Sequence, residues 1–513
     1  MTRNLASDLE SRAVSDPTVT GLTFEDGRCW TYSGLDAAAG EIAARLLASG
    51  APRGSRVAVQ LANSPELVMT LLAAWKAGFV PVAMSGLYND TEVAKCLAQV
   101  SPSVVISHAG VQHEGATALP LETVLQVCAD HQGRGREFPR STSAVEVSED
   151  HEGIILFTGG STGEPKAVSV THAGSYGSMS NLVRAQKGRP GPLPTAGEEV
   201  APNLLALPLF HSGGLQSLLV AIHLGRAVLL IERFSVDRLA RLVPQYGVDN
   251  LFLLPTMIYD LVAAEASPDL SSVRRVLVAG QRLDPMLQQE FEKKYQVMVL
   301  SNYGSTELGH VAGWTGPDIR AGRWRAGAVG RVYDGVHLEI RNEEGDALPP
   351  GEPGEIWIQS SRTKGYVDSG NATSSGLVVD GWIRSGDMGY VTEDRELYLV
   401  GRSRDLIKTG GFQVWPAELE QVVRTSPLVS DVAVVGLPDA RLGEIPVAVV
   451  VTRGDDIDPV VLEDDIISRC REALAHYKAV RKVLKVDALP RSEVGKIRRD
   501  EVEATVLAAL GRP

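Results

Sequence analysis

The stretch "LFTGGSTGEPKAVSVTH", Leu156 to His172, decides how the rest of the chain is read. An apolar run leads into it and a β-branched run leads out, so it reads as strand, loop, strand. The loop gathers Gly159, Gly160 and Gly163, the hydroxyls of Thr158, Ser161 and Thr162, and the cation Lys166. Glycine carries no Cβ, so these positions tolerate positive φ and let backbone N–H groups approach a ligand. Successive amides of this kind form an anion-binding concavity. A glycine-rich turn alone is as readily structural; three hydroxyls and a lysine tilt the reading toward polyphosphate. It is not a Walker A loop, because Pro165 precedes the lysine and Ala167 follows it.

The surrounding chain is 513 residues, too long for one hydrophobic core, so two or more domains are expected. Its composition, 44% hydrophobic and 22% charged, suits large globular cores. The formal net charge of −13 argues against a nucleic-acid partner or an anionic lipid surface, both of which need a basic face. Cys29, Cys96, Cys128 and Cys470 have neither metal-ligand nor redox spacing and read as buried free thiols. The first residues, "MTRNLASDLESRAV", lack the apolar core of a secretory signal. Two apolar stretches are interrupted by charge, Leu67–Met84 by Lys76 and Leu215–Ile231 by His223 and Arg226. Neither reads as a membrane span, so a cytoplasmic protein without stable membrane insertion is expected.

Strand and helix patterns alternate through the first 130 residues. "LASDLESRAV" reads as an amphipathic helix. "YSGLDAAAGEIAARLLASG" reads as a helix with Ser33 as cap candidate and Gly50 at its end, and "SPELVMTLLAAWKAG" as one with Pro65 in its first turn and Gly78 beyond it. "RVAVQLA", "FVPVAM" and "SVVISH" read as strands. Residues 132–150 read as a linker and Lys187–Pro202 as a surface loop. The apolar runs in "NLLALPLF", "AVLLI", "NLFLLP", "RRVLVAG" and "VMVLSNYG" predict a second α/β sheet. Residues 328–400 read as short strands with Gly and Asp turns, and a mixed α and β pattern returns to residue 513. No internal repeat is present.

Further motifs follow the opening loop. In "SNYGSTE", Tyr303 offers a ring face for a base, Gly304 a tight turn, Ser305 and Thr306 donors, and Glu307 a hard oxygen ligand for Mg²⁺. "RSGDMG" sets Asp387 on a turn, where a carboxylate suits a ribose diol. "GRSRDLIKTGG" brings Arg402, and "PRSEVGKIRRDE" places Lys496 behind Gly495. Singly, Asp387 could cap a turn, and Lys496 could be a solvated lysine beside Arg498 and Arg499.

Together these stretches resemble the motifs of the adenylate-forming superfamily of acyl-CoA synthetases, nonribosomal-peptide adenylation domains and beetle luciferases, in order across almost the whole chain. "TGGSTGEPK" resembles its phosphate loop, and "LPLFHSGG" (Leu207–Gly214) its acyl-site motif. "YGSTE", "SGD", "GRSRDLIKTGG" and the Gly495–Lys496 pair resemble its nucleotide, ribose, hinge and catalytic-lysine motifs. The resemblance implies an AMP-dependent carboxylate–CoA ligase. Its fold would be α/β: a large N-terminal domain, 1–403, with two doubly wound parallel sheets (about 1–150 and 151–327) and a small β-barrel-like unit (about 328–400). A smaller, mobile α+β C-terminal domain, 404–513, would carry the catalytic lysine.

Members of the superfamily join AMP to a carboxylate, expel pyrophosphate, and usually pass the acyl group to a thiol. By resemblance, Thr162 and Lys166 hold the β and γ phosphates, Mg²⁺ sits on Thr162 or Glu307, and Asp387 and Arg402 grip the ribose. Tyr303 stacks on adenine with the Ala279–Gly280 backbone opposite, and Gln281 and Asn302 join the nucleotide contacts. Lys496 bridges the α-phosphate and the acyl carboxylate. Arg404 matches the hinge about which the small domain turns, bringing Gly410 and Gly411 up as a pantetheine tunnel.

The acyl site would be lined by Phe210, His211, Gly214, Ala279, Gly280, Tyr303, Gly309, His310 and Val311, with His211 as gate. Amino-acid-activating relatives place an aspartate in the acyl motif; "FHSGG" has none, which favours a fatty, aryl or alicyclic acid over an amino acid. No segment reads as a fused carrier domain, so the acceptor is free CoA or a separate acyl carrier protein, or the reaction stops at the adenylate. "VVGLPDARLGEIPVAVVV" resembles the C-terminal sheet of CoA ligases and tips the choice to CoA. Oligomeric state, a homodimer included, is left open. A kinase or ATPase would release ADP or phosphate instead, and a nucleotide-sensing protein would not need Lys496, Glu307 and Asp387 together.

Overall fold

The computed structural model describes residues 3–108, 113–148, 150–159, 165–187, 200–281, 283–368, 371–373, 376–410, 412–439, 441–454, 456–492 and 495–509. The chain forms two compact units. The first is built from Met1–Thr158, Pro165–His337 and Ile358–Ile383, the second mainly from Leu338–Trp357 and Arg384–Pro513.

The first unit contains two sheets. One runs in the order Ala328–Val332, Gly309–Gly313, Met298–Ser305, Arg275–Val278, Asn250–Leu253, Asn203–Leu205, Val228–Leu230, Thr20–Phe24, Cys29–Thr31. The run from Met298–Ser305 to Thr20–Phe24 is parallel, and antiparallel strands flank it on both sides. The other has a parallel run of Glu152–Gly159, Val80–Met84, Arg56–Gln60, Val104–Ser107 and Thr117–Ala118. All but Thr117–Ala118 are the apolar runs expected as strands. Covered on both faces, a parallel strand must be apolar on both, and Val80–Met84 is buried throughout.

The sheets do not divide near residue 150, as expected. Thr20–Phe24 pairs with Val228–Leu230, while Glu152–Gly159 pairs with Val80–Met84. Nor do residues 328–400 stay together. Thr363–Asp368 adds antiparallel to Pro165–Thr171, with the buried Thr363 hydroxyl donating to the Ser169 carbonyl at 2.5 Å. Sequence order therefore does not separate the sheets; strand pairing does.

Helix termini follow their local chemistry. Ser64 caps the Pro65–Ala77 helix by accepting from Leu67 N at 3.2 Å, and Gly78 ends it at φ +79°. The Tyr32–Ala48 helix is capped by Thr31, not Ser33; Thr31 Oγ1 accepts from Gly34 N at 3.1 Å, and Ser33 Oγ donates to Pro17 O at 2.7 Å. A core around Trp30, Trp75, Leu71 and Ile42 lies between helices and sheet, and each such side chain contributes roughly 1.5–3 kcal/mol. Lys76 is buried, held by Asp36 at 2.6 Å and Glu10 at 2.7 Å. His223 meets Asp8 at 3.0 Å and Arg226 meets Asp249. Among the described residues no helix is long and apolar enough to cross a membrane. All four cysteines are free and buried, and burial pushes the Cys96 thiol up to about 12.

In the second unit, His337–Arg341, Gly354–Gln359, Trp382–Val391 and Glu396–Arg402 lie side by side. A further sheet runs Phe412–Val414, Ile407–Thr409, Gly443–Thr452, Val429–Asp439, with Lys482–Lys485 parallel to Gly443–Thr452. Its two faces carry separate apolar clusters, one including Val432 and Ile466, the other Val435 and Val502. Trp415 packs on the Glu396–Arg402 strand, where a Cβ at Gly401 would sit 2.7 Å from the indole.

Candidate active site

In an α/β sheet, ligands bind beyond the carboxyl ends of the parallel strands. Three motifs of the first unit lie at such ends. Asn203–Leu205 leads into "LPLFHSGG", Arg275–Val278 into Ala279–Gly280, and Met298–Ser305 ends in "NYGS". Arg275–Val278 and Met298–Ser305 are parallel neighbours with Val278 opposite Ser301, which sets Ala279 and Gly280 beside Asn302 and Tyr303.

The acyl-motif loop is pinned by the buried Asn63, which donates to Leu207 O at 3.0 Å and accepts from Leu209 N at 2.8 Å. Phe210 is buried, its ring centroid 4.6 Å from that of His211. His211 is the N-cap of the Ser212–Leu224 helix. Gly214 is required by space, since a Cβ there would stand 2.2 Å from Pro208 O.

Tyr303 is buried, and the ladder to Gly309–Gly313 shifts register between Tyr303 and Gly304. A Cβ on Gly304 would lie 2.0 Å from Gly309 O, so the strands approach this closely only with glycine. Ser305 Oγ donates to Glu307 Oε2 at 2.8 Å and accepts from Leu308 N at 3.2 Å, closing the turn that presents the carboxylate. Asn302 lies against His310, 3.0 Å from its Nδ1, and donates to Tyr333 Oη at 3.3 Å. Burial and the nearby Arg362 charge hold His310 down to about 3, so its imidazole is neutral. Val311 is fully buried.

Arg362 was not singled out by the sequence. It is 1% exposed and donates to Thr306 O at 2.9 Å, Gly174 O at 3.2 Å and Ser212 Oγ at 3.2 Å. One guanidinium thus ties the "STE" turn to the first turns of two helices, His172–Lys187 and Ser212–Leu224. Burial lowers its pKa to about 10, against the opposing pull of Glu307, so it stays charged at neutral pH. A lone arginine in "IQSSRTKGYV" carries no sequence signal that distinguishes it from a surface charge.

In the phosphate loop, Thr158 ends the incoming strand with Gly159, and its Oγ1 lies 3.5 Å from Lys166 O. Lys166 Nζ stands 5.1 Å over the Tyr366 ring. Gly160, Ser161, Thr162 and Gly163 lie outside the described residues. Among the described residues no three metal-ligating side chains cluster. Mg²⁺ needs no such cage when it arrives with phosphates, for which one carboxylate suffices, and Glu307 fits that donor type.

In the second unit, Asp387 lies within the Trp382–Val391 strand rather than on a turn, directly across from Arg402. Arg402 Nε donates to Asp387 Oδ1 at 3.0 Å. Arg404 sits in the short Ser403–Asp405 helix, 3.5 Å from Asp405. Gly410 has φ +57° and donates to Leu442 O at 2.7 Å, at the turn between Ile407–Thr409 and Phe412–Val414. Gly411 lies outside the described residues. Lys496 is exposed on a turn closed by Ser492 N to Lys496 O at 2.8 Å and Lys496 N to Ser492 Oγ at 3.2 Å. Arg499, three residues on, reaches Asp405 at 3.2 Å, Glu420 at 2.7 Å and Val434 O at 2.6 Å.

The AMP-binding enzyme family model matches residues 9–367, and the model for the AMP-binding enzyme C-terminal domain matches 418–496. The chain belongs to the AMP-binding enzyme family. Within this adenylate-forming family its relatives are acid–CoA ligases. It is 31% identical to 4-coumarate–CoA ligase 5 of Oryza sativa subsp. japonica, across 98% of this chain and 93% of that one. ATP-bound MatB from Rhodopseudomonas palustris superposes with a TM-score of 0.85 at 26% identity, covering 98% and 99% of the two chains. A fatty acyl CoA synthetase of Mycobacterium tuberculosis gives a TM-score of 0.72 at 27% identity, covering 99% of each. The family carries the expected α/β fold, with a large N-terminal part and a smaller C-terminal one.

Proposed function

We propose that this enzyme activates a carboxylic acid with ATP and transfers the acyl group to CoA. The observation that carries the reading is the meeting of the acyl motif, Ala279–Gly280 and "NYGSTE" at the carboxyl ends of parallel strands of one sheet. By this reading Tyr303 stacks on adenine, and Phe210, His211 and Gly309–Val311 line the acyl site beside it.

In the first half-reaction, a carboxylate oxygen attacks the α-phosphorus in line. The bond to the bridging oxygen breaks, and pyrophosphate leaves with the electron pair. Catalysis is mostly positioning and electrostatics. Thr158, Ser161, Thr162 and Lys166 with the Gly159, Gly160 and Gly163 amides hold the phosphate tail; Asp387 and Arg402 hold the ribose; Gln281, Asn302, Tyr303, Gly304, Ser305 and Thr306 frame the nucleotide. Thr162 or Glu307 would hold Mg²⁺, which would supply neutralisation of phosphate charge. Lys496 stabilises charge between the α-phosphate and the incoming carboxylate. In the second half-reaction a thiol attacks the adenylate carbonyl and AMP leaves; here residues 404–513 turn at Arg404 and Gly410–Gly411 line the pantetheine path.

The acid is a fatty, aryl or alicyclic one. The acyl motif, with Phe210 and His211, lacks the carboxylate that an ammonium group would need. The test is Mg²⁺-dependent ATP–pyrophosphate exchange across such acids, repeated with CoA and then with a carrier protein to score thioester. Exchange with a plain acid and thioester only with CoA is expected. Release of ADP, or exchange with amino acids alone, would overturn the reading.

A further inference from the structure

Three polar groups near Arg362, on three different elements, have no hydrogen-bond partner among the described residues. They are both amide atoms of Gln216, the Ser175 hydroxyl and His310 Nε2. Gln216 is 2% exposed and Ser175 0%. Their placement follows from helical spacing. Gln216 is one turn beyond Ser212, whose hydroxyl accepts from Arg362. Ser175 adjoins Gly174, whose carbonyl also accepts from Arg362, and lies one turn before Ser178, which accepts from His310 N at 2.9 Å. Arg362 itself spends three of its five N–H donors on neutral oxygens and has no carboxylate within ion-pair distance among the described residues.

Buried polar groups are ordinarily paired, because desolvation otherwise costs energy with nothing returned. Apolar side chains of similar size would fill the same volume more cheaply. A polar cluster kept unpaired beside a buried cation is what a site for an oxygen-bearing ligand requires. The ligand's direction of approach follows from the chain. Gln216 is on the helix that opens from "LPLFHSGG", and His310 is on the strand that follows "YGSTE".

We propose that this junction receives the end of the acid remote from its reacting carboxyl, and that the acid carries there an oxygen-bearing group: a hydroxyl, a carbonyl or a second carboxylate. The inference rests on the ligase reading above and narrows its substrate class.

The test is exchange by the full chain with acids matched in length and differing at the far end: hexanoate, 6-hydroxyhexanoate and adipate; cinnamate, 4-hydroxycinnamate and 4-carboxycinnamate. In at least one series a polar member should exceed the apolar one by about tenfold or more in kcat/KM. Preference for the dicarboxylate would assign the contact to Arg362, and preference for the hydroxyl to Gln216 and Ser175. Gln216→Met and Ser175→Ala should shrink the ratio to about threefold or less. Gln216→Met should also keep or raise Tm, since it removes an unpartnered amide; a lower Tm would make the amide structural and sink the proposal. Exchange with apolar acids as fast as with polar ones would overturn it too, leaving the ligase reading intact and the cluster to buried water. Exchange with no acid of any class would take both down.

Discussion

The two groups of motif residues are held in opposite ways. In the first unit Tyr303, His310 and Val311 are buried, and Glu307 is set by a closed turn. Arg362 locks the surroundings with three hydrogen bonds. In the second unit Lys496 stands exposed on a short turn, and Arg404 is exposed beside Asp405. The first arrangement fixes geometry before any ligand arrives. The second leaves a cation whose position depends on a few local bonds, with the burden of rigidity shifted to Arg499. The proposed role of Lys496, in one of two half-reactions, suits the second kind of support better than the first.

The largest effect expected from this contrast separates activity from stability. Lys496→Ala should lower exchange by about 10²–10³-fold while changing stability by no more than about 0.5 kcal/mol, as for other surface substitutions. Thioester formation from supplied acyl-adenylate should largely survive. Equal loss of both half-reactions, with the fold intact by circular dichroism, would remove the proposed division of labour.

Arg362→Met should do the reverse. It strips partners from Thr306 O, Gly174 O and Ser212 Oγ, so urea unfolding should show a loss of about 3 kcal/mol. A change below about 1 kcal/mol would mean that the junction is not a structural lock. Gly304→Ala places a methyl against Gly309 O and should cost about 1–3 kcal/mol, with nucleotide affinity, read by calorimetry, weakened as the Tyr303 edge shifts.

The smallest effect is a slope. Burial lowers His172 and His310 from 6.5 to about 3. Between those values the unfolded chain binds protons that the folded one does not, so stability is unimpaired above pH 6.5 and falls as the pH drops toward 3. Each histidine contributes at most about 1.4 kcal/mol per pH unit. His172→Gln should reduce the acid slope by about one proton in unfolding titrations; an unchanged slope would place His172 in water.

The fold and the site were legible to different depths. Short apolar runs marked most strands of the parallel layers, because a strand covered on both faces has no polar residue to spare; Thr20–Phe24 and the exposed Thr117–Ala118 were not marked. Ser64 and Gly78 marked a helix's ends for equally local reasons. Ser33 misled because two adjacent hydroxyls, Thr31 and Ser33, compete for one role, and the chain entering the helix decides between them. "SGD" read as a turn, yet Asp387 is inside a strand, since its partner Arg402 is supplied by a neighbouring strand. Arg362, Gln216 and Ser175 were invisible: burial of a polar side chain is a property of what packs around it.

By itself the sequence carried the motifs that mark the AMP-binding enzyme family, along with most apolar strand runs and several helix ends, which obey local rules. Only the tertiary structure decided which strands share a sheet, which cation is sealed inside, and which buried polar atoms are left without partners. Those depend on long-range packing, where free energy is set by neighbours far apart in the chain.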